Sequence, residues 1–235
     1  MWYPNEKESL EEEVEEFLNQ RTNKGIKKIT GLIVPHAGYE FSGSVAGRAF
    51  SLIKNQKISR AVILGPSHYF PLEGVLTTDK TKWETSLGKI KTFNTDFKPE
   101  KIEQEHSIDN QVPFLQELGI EEILPLVVGE ITNEQAEEIA QKLSKIPALY
   151  VFSTDLSHFF PYEQAIKKDK ETIKLIEKLD LKNFYKIDAC GFYLLLIMMH
   201  LCKIKKTKPH LIEHKTSADV TGEKENVVGY ASFFF

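Results

Sequence analysis

Three histidines stand just beyond short apolar runs. His36 lies in Val34-Pro35-His36-Ala37-Gly38-Tyr39, after the run Gly31-Leu32-Ile33-Val34. His68 ends Gly65-Pro66-Ser67-His68, after Ala61-Val62-Ile63-Leu64, and His158 ends Ser153-Thr154-Asp155-Leu156-Ser157-His158, after Leu149-Tyr150-Val151-Phe152. Imidazole is the commonest metal ligand and the side chain that exchanges a proton near neutral pH. A single loop histidine is usually a turn or surface residue, but three of the chain's seven at the ends of apolar runs form a pattern. In an open α/β sheet, ligands bind at the carboxyl ends of the strands, so three such loops can converge on one edge. His200, on an apolar segment, reads as a packed residue; His210 and His214 flank a short strand-like piece and receive no role.

Two further groups carry potential chemistry. Cys190, in Asp188-Ala189-Cys190-Gly191, opens the most apolar segment, read as one helix from Cys190 to Cys202. A helix N-terminus favours an anion, so a thiol there is expected to have a lowered pKa and to be a better ligand or nucleophile. An inert buried cysteine is the commoner alternative. Glu105-His106-Ser107 precedes a helix carrying Asn110, Gln111, Pro113 and Phe114. Ser107 or Asp109 is read as its cap. Glu105 and His106 are read as groups that orient metal ligands through hydrogen bonds, with a purely structural cap an equal alternative. Neither glycine-rich phosphate-loop pattern is present.

The elements that must position these residues are legible in outline. Ser9 and Glu12 have capping-box spacing, and Leu10, Val14, Phe17 and Leu18 repeat along one helical face. The runs 31–34, 61–64, 123–128 and 149–152 are apolar without alternation, which suits strands covered on both faces. Helical patterns separate them, at Val45 to Ile53, Val112 to Leu118, Ala136 to Leu143 and Ile173 to Leu179. Gly38 and Gly43 are read as bracketing a tight turn into the first of these. The stretch Gly74 to Phe93 reads as a hairpin insertion, and Val227 to Phe233 as a closing strand. The expected fold is α/β: one domain over 1–235, with a mostly parallel or mixed central sheet and helices on both faces.

Bulk properties narrow the function classes. The chain is 41% hydrophobic and 27% charged, with net charge −4 and a pI near 6.0, which argues against a nucleic-acid partner. Lys203, Lys205, Lys206 and Lys208 read as a solvated turn. Cys190 and Cys202 lie too far apart along one helix to bridge, which suggests a reducing compartment. The acidic start MWYPNEKESLEEE does not read as a signal peptide, and the longest apolar run is far short of the ~20 residues of a membrane span. A cytoplasmic protein without a membrane partner is expected.

These motifs resemble the Memo family, also called AmmeMemoRadiSam system protein B. The matching pieces are Pro35-His36-Ala37-Gly38-Tyr39 with Ser42-Gly43, Gly65-Pro66-Ser67-His68 and Glu105-His106-Ser107 with Pro113-Phe114-Leu115. Then follow Ser153-Thr154-Asp155-Leu156-Ser157-His158, Cys190-Gly191 and Val228-Gly229-Tyr230-Ala231. That family is similar to the class III extradiol dioxygenases of LigB type, which hold one non-haem iron(II). The resemblance implies metal ligation by His36, His68 and Cys190, with Cys190 standing where the dioxygenases have a carboxylate. It implies acid/base work by His158, with Asp155 lining the same pocket. The expected metal is iron(II) or copper, with zinc admissible. Two departures stand out: the cysteine itself, which blocks a simple carry-over of dioxygenase activity, and Phe192-Tyr193-Leu194, more apolar than the family leads one to expect. The leading functional expectation is a redox metalloenzyme acting on a small-molecule or peptide ligand. The alternative is a non-catalytic peptide- or ligand-binding signalling protein using the same pocket, and Cys-His hydrolysis is a third. The sequence leaves the oligomeric state open.

Overall fold

The computed structural model describes residues 2–20, 28–93, 95–102 and 105–235. Its strands are β1 (Gly31–Val34), β2 (Arg60–Pro66), β3 (Val75–Thr78), β4 (Lys82–Thr85), β5 (Gly88–Thr92), β6 (Lys98–Glu100), β7 (Glu122–Val128), β8 (Leu149–Ser153), β9 (His158–Phe160), β10 (His210–Thr216) and β11 (Val227–Phe234). Its helices are α1 (Lys7–Asn19), α2 (Tyr39–Ser51), α3 (His106–Asp109), α4 (Val112–Glu117), α5 (Asn133–Ser144), α6 (Tyr162–Lys178), α7 (Phe192–Lys205) and α8 (Ala218–Thr221).

The four apolar runs become β1, β8, β2 and β7, adjacent and mutually parallel at the centre of one mixed sheet. Both faces of these strands are covered, which is why the runs do not alternate with polar residues. Ile33, Val62, Leu64, Leu124, Tyr150 and Phe152 pack on one side with α5, α6 and α7. Leu32, Val34, Ala61, Ile63, Leu149 and Val151 pack on the other with α1, α2 and α4. Helices therefore flank a central sheet in a single α/β unit. α7, apolar all round in sequence, is correspondingly buried over Leu194–Cys202.

Register fixes the level of the functional loops. Val34 is paired with Ser153, and Leu64 with Phe152, so β1, β8 and β2 end side by side. The loops carrying His36, His158 and His68 leave from these ends.

Several local expectations need correction. The capping box at Ser9 and Glu12 does not form: α1 begins at Lys7, and Glu6 precedes it without a side-chain cap. A capping box does form at Thr132 and Gln135, ahead of α5. Gly43 lies inside α2 rather than in a turn, and an added Cβ would lie 2.3 Å from the Phe17 ring. It is small so that α1 can pack closely on α2. The 74–93 insertion contains the β4–β5 hairpin, but β3 joins the main sheet antiparallel to β7. The expected C-terminal strand does form, as β11, and lies between β1 and β10. Neither Ser107 nor Asp109 caps the helix that carries Pro113 and Phe114: α4 follows Gln111 without a side-chain cap, and Glu105 caps the preceding α3 by accepting the Ser107 N–H. The apolar helix begins at Phe192, two residues after Cys190. No helix among the described residues is long and apolar enough to cross a membrane.

Candidate metal centre

His36, His68 and Cys190 meet at the carboxyl edge of the sheet. Each offers one ligand atom, and these atoms all lie within 4.8 Å of one another. The His36 and His68 rings stand nearly perpendicular, with centroids 5.1 Å apart. His36 Nε2 is 3.3 Å from Cys190 Sγ.

The other nitrogen of each ring is occupied by the protein. His36 Nδ1 lies 3.0 Å from Ser153 Oγ, which also accepts a hydrogen bond from Gln111 Nε2 at 3.0 Å. His68 Nδ1 lies 2.8 Å from Glu105 Oε1, while Glu105 Oε2 accepts the His68 backbone N–H at 2.9 Å. The buried Glu105 carboxylate can only accept, so it fixes His68 with Nδ1 as donor and Nε2 carrying the lone pair, while the Ser153 hydroxyl holds the His36 ring through its Nδ1. This is the arrangement that orients metal-binding imidazoles and raises their basicity.

Neighbouring groups hold the loops. The Asp155 carboxylate accepts the His36 N–H at 2.7 Å. The Asp155 N–H donates to Cys190 Sγ at 3.2 Å, and the Cys190 N–H donates to the Asp155 carbonyl at 3.2 Å. Thr154 Oγ1 accepts the Gly191 N–H at 2.8 Å. This approach requires glycine, because a Cβ on Gly191 would lie 2.5 Å from Thr154 Cβ. From the α3–α4 turn, Asn110 Nδ2 donates to the His36 carbonyl at 2.7 Å and Gln111 Nε2 to the Pro35 carbonyl at 2.9 Å.

Electrostatics set the protonation states. Burial, with the neighbouring His68, lowers His36 to about 3. Burial, then His36 and His68, lowers His106 to about 4. Both rings are therefore neutral at pH 7, as a metal requires. Burial opposes ionisation of Glu105, but hydrogen bonds from the His68 ring and backbone and from Ser107 outweigh it, so its carboxyl falls below the ordinary value. Burial raises Asp155. The Cys190 thiol is pushed up to about 12 by burial and by the Asp155 charge, against hydrogen bonds from Thr154 and nearby N–H groups. The expected lowering by a helix terminus is thus reversed: the sulfur is removed from water, and α7 starts beyond it.

His158 lies beside the three-ligand group rather than within it. Its Nδ1 lies 2.8 Å from the Leu156 carbonyl, which can only accept, so Nδ1 carries the proton and Nε2 is left as a base. Phe159, next to it, has φ of +61°, and the bulky side chain is exposed. His106 completes a ring cluster, 4.3 Å from His68 between centroids and stacked on Trp2 at 4.1 Å, with its Nδ1 3.0 Å from Tyr69 Oη. A cavity of about 610 Å³ reaches Cys190, lined by Ser67, Phe70, Glu130 and Tyr193 among others.

Trp2, Ser153, Thr154 and Gln111 were not singled out as site residues from sequence. Ser153 and Thr154 lie in the quoted His158 motif, where position at the end of a strand was the available signal. His214, left without a role, faces the buried Asp169 carboxylate at 2.9 Å, and Asp169 accepts the Ser157 N–H at 3.1 Å.

Comparison with known proteins identifies the family of the chain. A family model described as "Memo-like protein" matches residues 1–234. A MEMO1 family protein of Sulfurisphaera tokodaii is 35% identical over 231 residues, covering 86% of this chain and 81% of the relative. One from Sulfolobus acidocaldarius is 34% identical over 230 residues, with the same coverage. One from Nitrosopumilus maritimus is 29% identical over 264 residues, covering all of this chain and 96% of the relative. With the motifs in order along the sequence and the match running nearly from end to end, the chain belongs to the Memo family.

Proposed function

We propose that this protein carries one transition-metal ion on His36, His68 and Cys190, and that it is a redox metalloenzyme acting on a small-molecule or peptide ligand. The observation that carries this reading is the orientation of the donors: two imidazoles with Nδ1 tied to Ser153 and Glu105, converging with a sulfur within 4.8 Å. Such a donor set suits iron(II), copper or zinc. A bound ion would supply Lewis-acid and redox chemistry to a ligand in the adjoining cavity.

The chain's own residues do the rest. Ser153 and Glu105 keep the ligand rings aimed. Asp155 holds the His36 loop through its N–H. His158, with Nε2 free, accepts or returns a proton as ligand reacts. His106 stands behind His68 and remains neutral. The LigB-type dioxygenases remain the chemical analogy, with a thiolate in place of their carboxylate. The two unbridged cysteines suit the reducing cytoplasm.

A second reading, recognition without chemistry, is favoured by one observation: Tyr69 and Phe70 are exposed beside His68. The test separates the two. Protein purified anaerobically with reductant should contain one metal per chain by elemental analysis, and a Cys190→Ser variant should lose it. A metal-free native protein that still binds peptides tightly would end the redox reading in favour of recognition.

A further inference from the structure

The opposite edge of the sheet carries a larger cavity, of about 790 Å³. It forms where the chain enters β1, β2 and β8, and the last turn of α7 adds Lys205. Its position, at the amino ends of the parallel strands, separates it from the histidine cluster by the length of the strands.

Its charge departs from that of the whole chain. Lys28, Lys57, Arg60 and Lys205 line it, and no described Asp or Glu does, although the protein has 34 acidic and 30 basic residues. Arg60 is paired with Glu122 at 2.7 Å and lies over the Phe93 ring, so its charge is largely balanced. Lys205 Nζ donates to the Ser144 carbonyl at 2.7 Å, which fixes the ammonium at the rim without neutralising it. Lys28 and Lys57 form no ion pair with a described residue and are exposed. Three uncompensated ammonium groups around one concavity repel one another, and a multiply charged anion relieves that repulsion.

The floor is of another kind. Ile29, Leu149 and Tyr150 are buried beneath the rim. The Tyr150 hydroxyl is engaged by the Leu143 and Ile146 carbonyls, so the residue offers the cavity no free polar group, and Lys205 Nζ lies 5.8 Å from its ring centroid. An apolar floor under a cationic rim fits a ligand with a planar or apolar part and a cluster of negative charges. The volume lies within the roughly 300–1,000 Å³ of small-molecule sites. A concave site on a net-negative protein does not suit a nucleic-acid backbone.

We propose that this cavity is a second binding site, for an organic phosphate of the nucleotide type, recognised by Lys28, Lys57 and Lys205 above the Ile29–Leu149–Tyr150 floor. It is independent of the metal centre.

Calorimetry on the full chain, with ATP, adenosine and inorganic pyrophosphate as probes and no added divalent cation, tests this. ATP should bind saturably at one site and weaken at high salt, with adenosine and pyrophosphate each much weaker. The double variant Lys28→Glu, Lys57→Glu should lose about tenfold or more in ATP affinity with an unchanged melting temperature, since both side chains are exposed. His36→Ala should leave ATP binding as it is. Absence of saturable ATP binding, undiminished affinity in the double variant, or loss of binding in His36→Ala would overturn the proposal. Pyrophosphate binding as tightly as ATP would overturn the role given to the apolar floor.

Discussion

The Glu105 carboxylate grips His68 twice, taking the ring Nδ1 on one oxygen at 2.8 Å and the backbone N–H on the other at 2.9 Å. One buried side chain therefore fixes both the position and the tautomer of a candidate metal ligand. Glu105→Gln puts an NH₂ group against one of those two donors. Metal affinity should fall by roughly 10- to 100-fold, read by competition with a chelating dye. An unchanged affinity would mean that His68 needs no such anchoring.

Metal binding should depend on pH through Cys190. The sulfur, pushed up to about 12, is protonated at pH 7, whereas His36, at about 3, is already neutral. Capture of an ion must then release one proton, from the thiol. Apparent affinity should rise about tenfold per pH unit between roughly pH 7 and 9. Cys190→Ser should flatten that slope, and a flat native profile would place the sulfur outside the coordination sphere.

Acid should weaken the metal-free fold in a defined window. His36 and His106 titrate at about 3 and about 4 when folded, against an ordinary value of 6.5. Between those limits the unfolded chain binds protons that the fold refuses. The contribution of these neutral rings is complete above pH 6.5 and is lost as pH falls toward about 4 for His106 and about 3 for His36. The slope is at most about 1.4 kcal/mol per pH unit for each ring. Urea unfolding at a series of pH values should show it, and His36→Gln should make it shallower.

Gly191→Ala should damage the site from outside the ligand set. The new Cβ meets Thr154 Cβ at 2.5 Å, backbone-attached on both sides, so neither can swing away. We expect a loss of about 1–3 kcal/mol in stability. Metal content should fall with it, because the Cys190 backbone must shift. Normal metal content in a folded variant would show that the Thr154 contact is dispensable.

Asp169→Ala should disturb His158 at a distance. It removes the acceptor for the buried Ser157 N–H and the partner of His214 Nε2. A cost of about 2–4 kcal/mol is expected in chemical denaturation. Nitrogen NMR of the His158 ring should report a changed environment, while metal content stays near native.

What could be read beforehand follows from range. The four central strands were legible because burial on both faces leaves continuous apolar runs, as in Ala61–Leu64. The histidines stood out because each loop follows its strand directly. Ser153 and Gln111 were invisible as ring supports: they lie 117 and 75 positions from His36, and nothing local marks a serine or glutamine for that task. Trp2, in the acidic start of the chain, carried no signal of a role, yet it stacks on His106. The Cys190 thiol was misjudged because proximity to a helix start is local, whereas burial and the facing Asp155 charge are tertiary. Ser9 and Glu12 had the right spacing but fell inside a helix that had already begun.

The placement of β8 between β1 and β2 has a further consequence for biosynthesis. His36 and His68 flank a gap that only residues 149–153 can fill, and the third donor comes later still, at Cys190. A growing chain on the ribosome has both imidazole loops exposed for most of its synthesis without a template to align them. The three candidate donors are therefore all present only once the chain has been synthesised past Cys190.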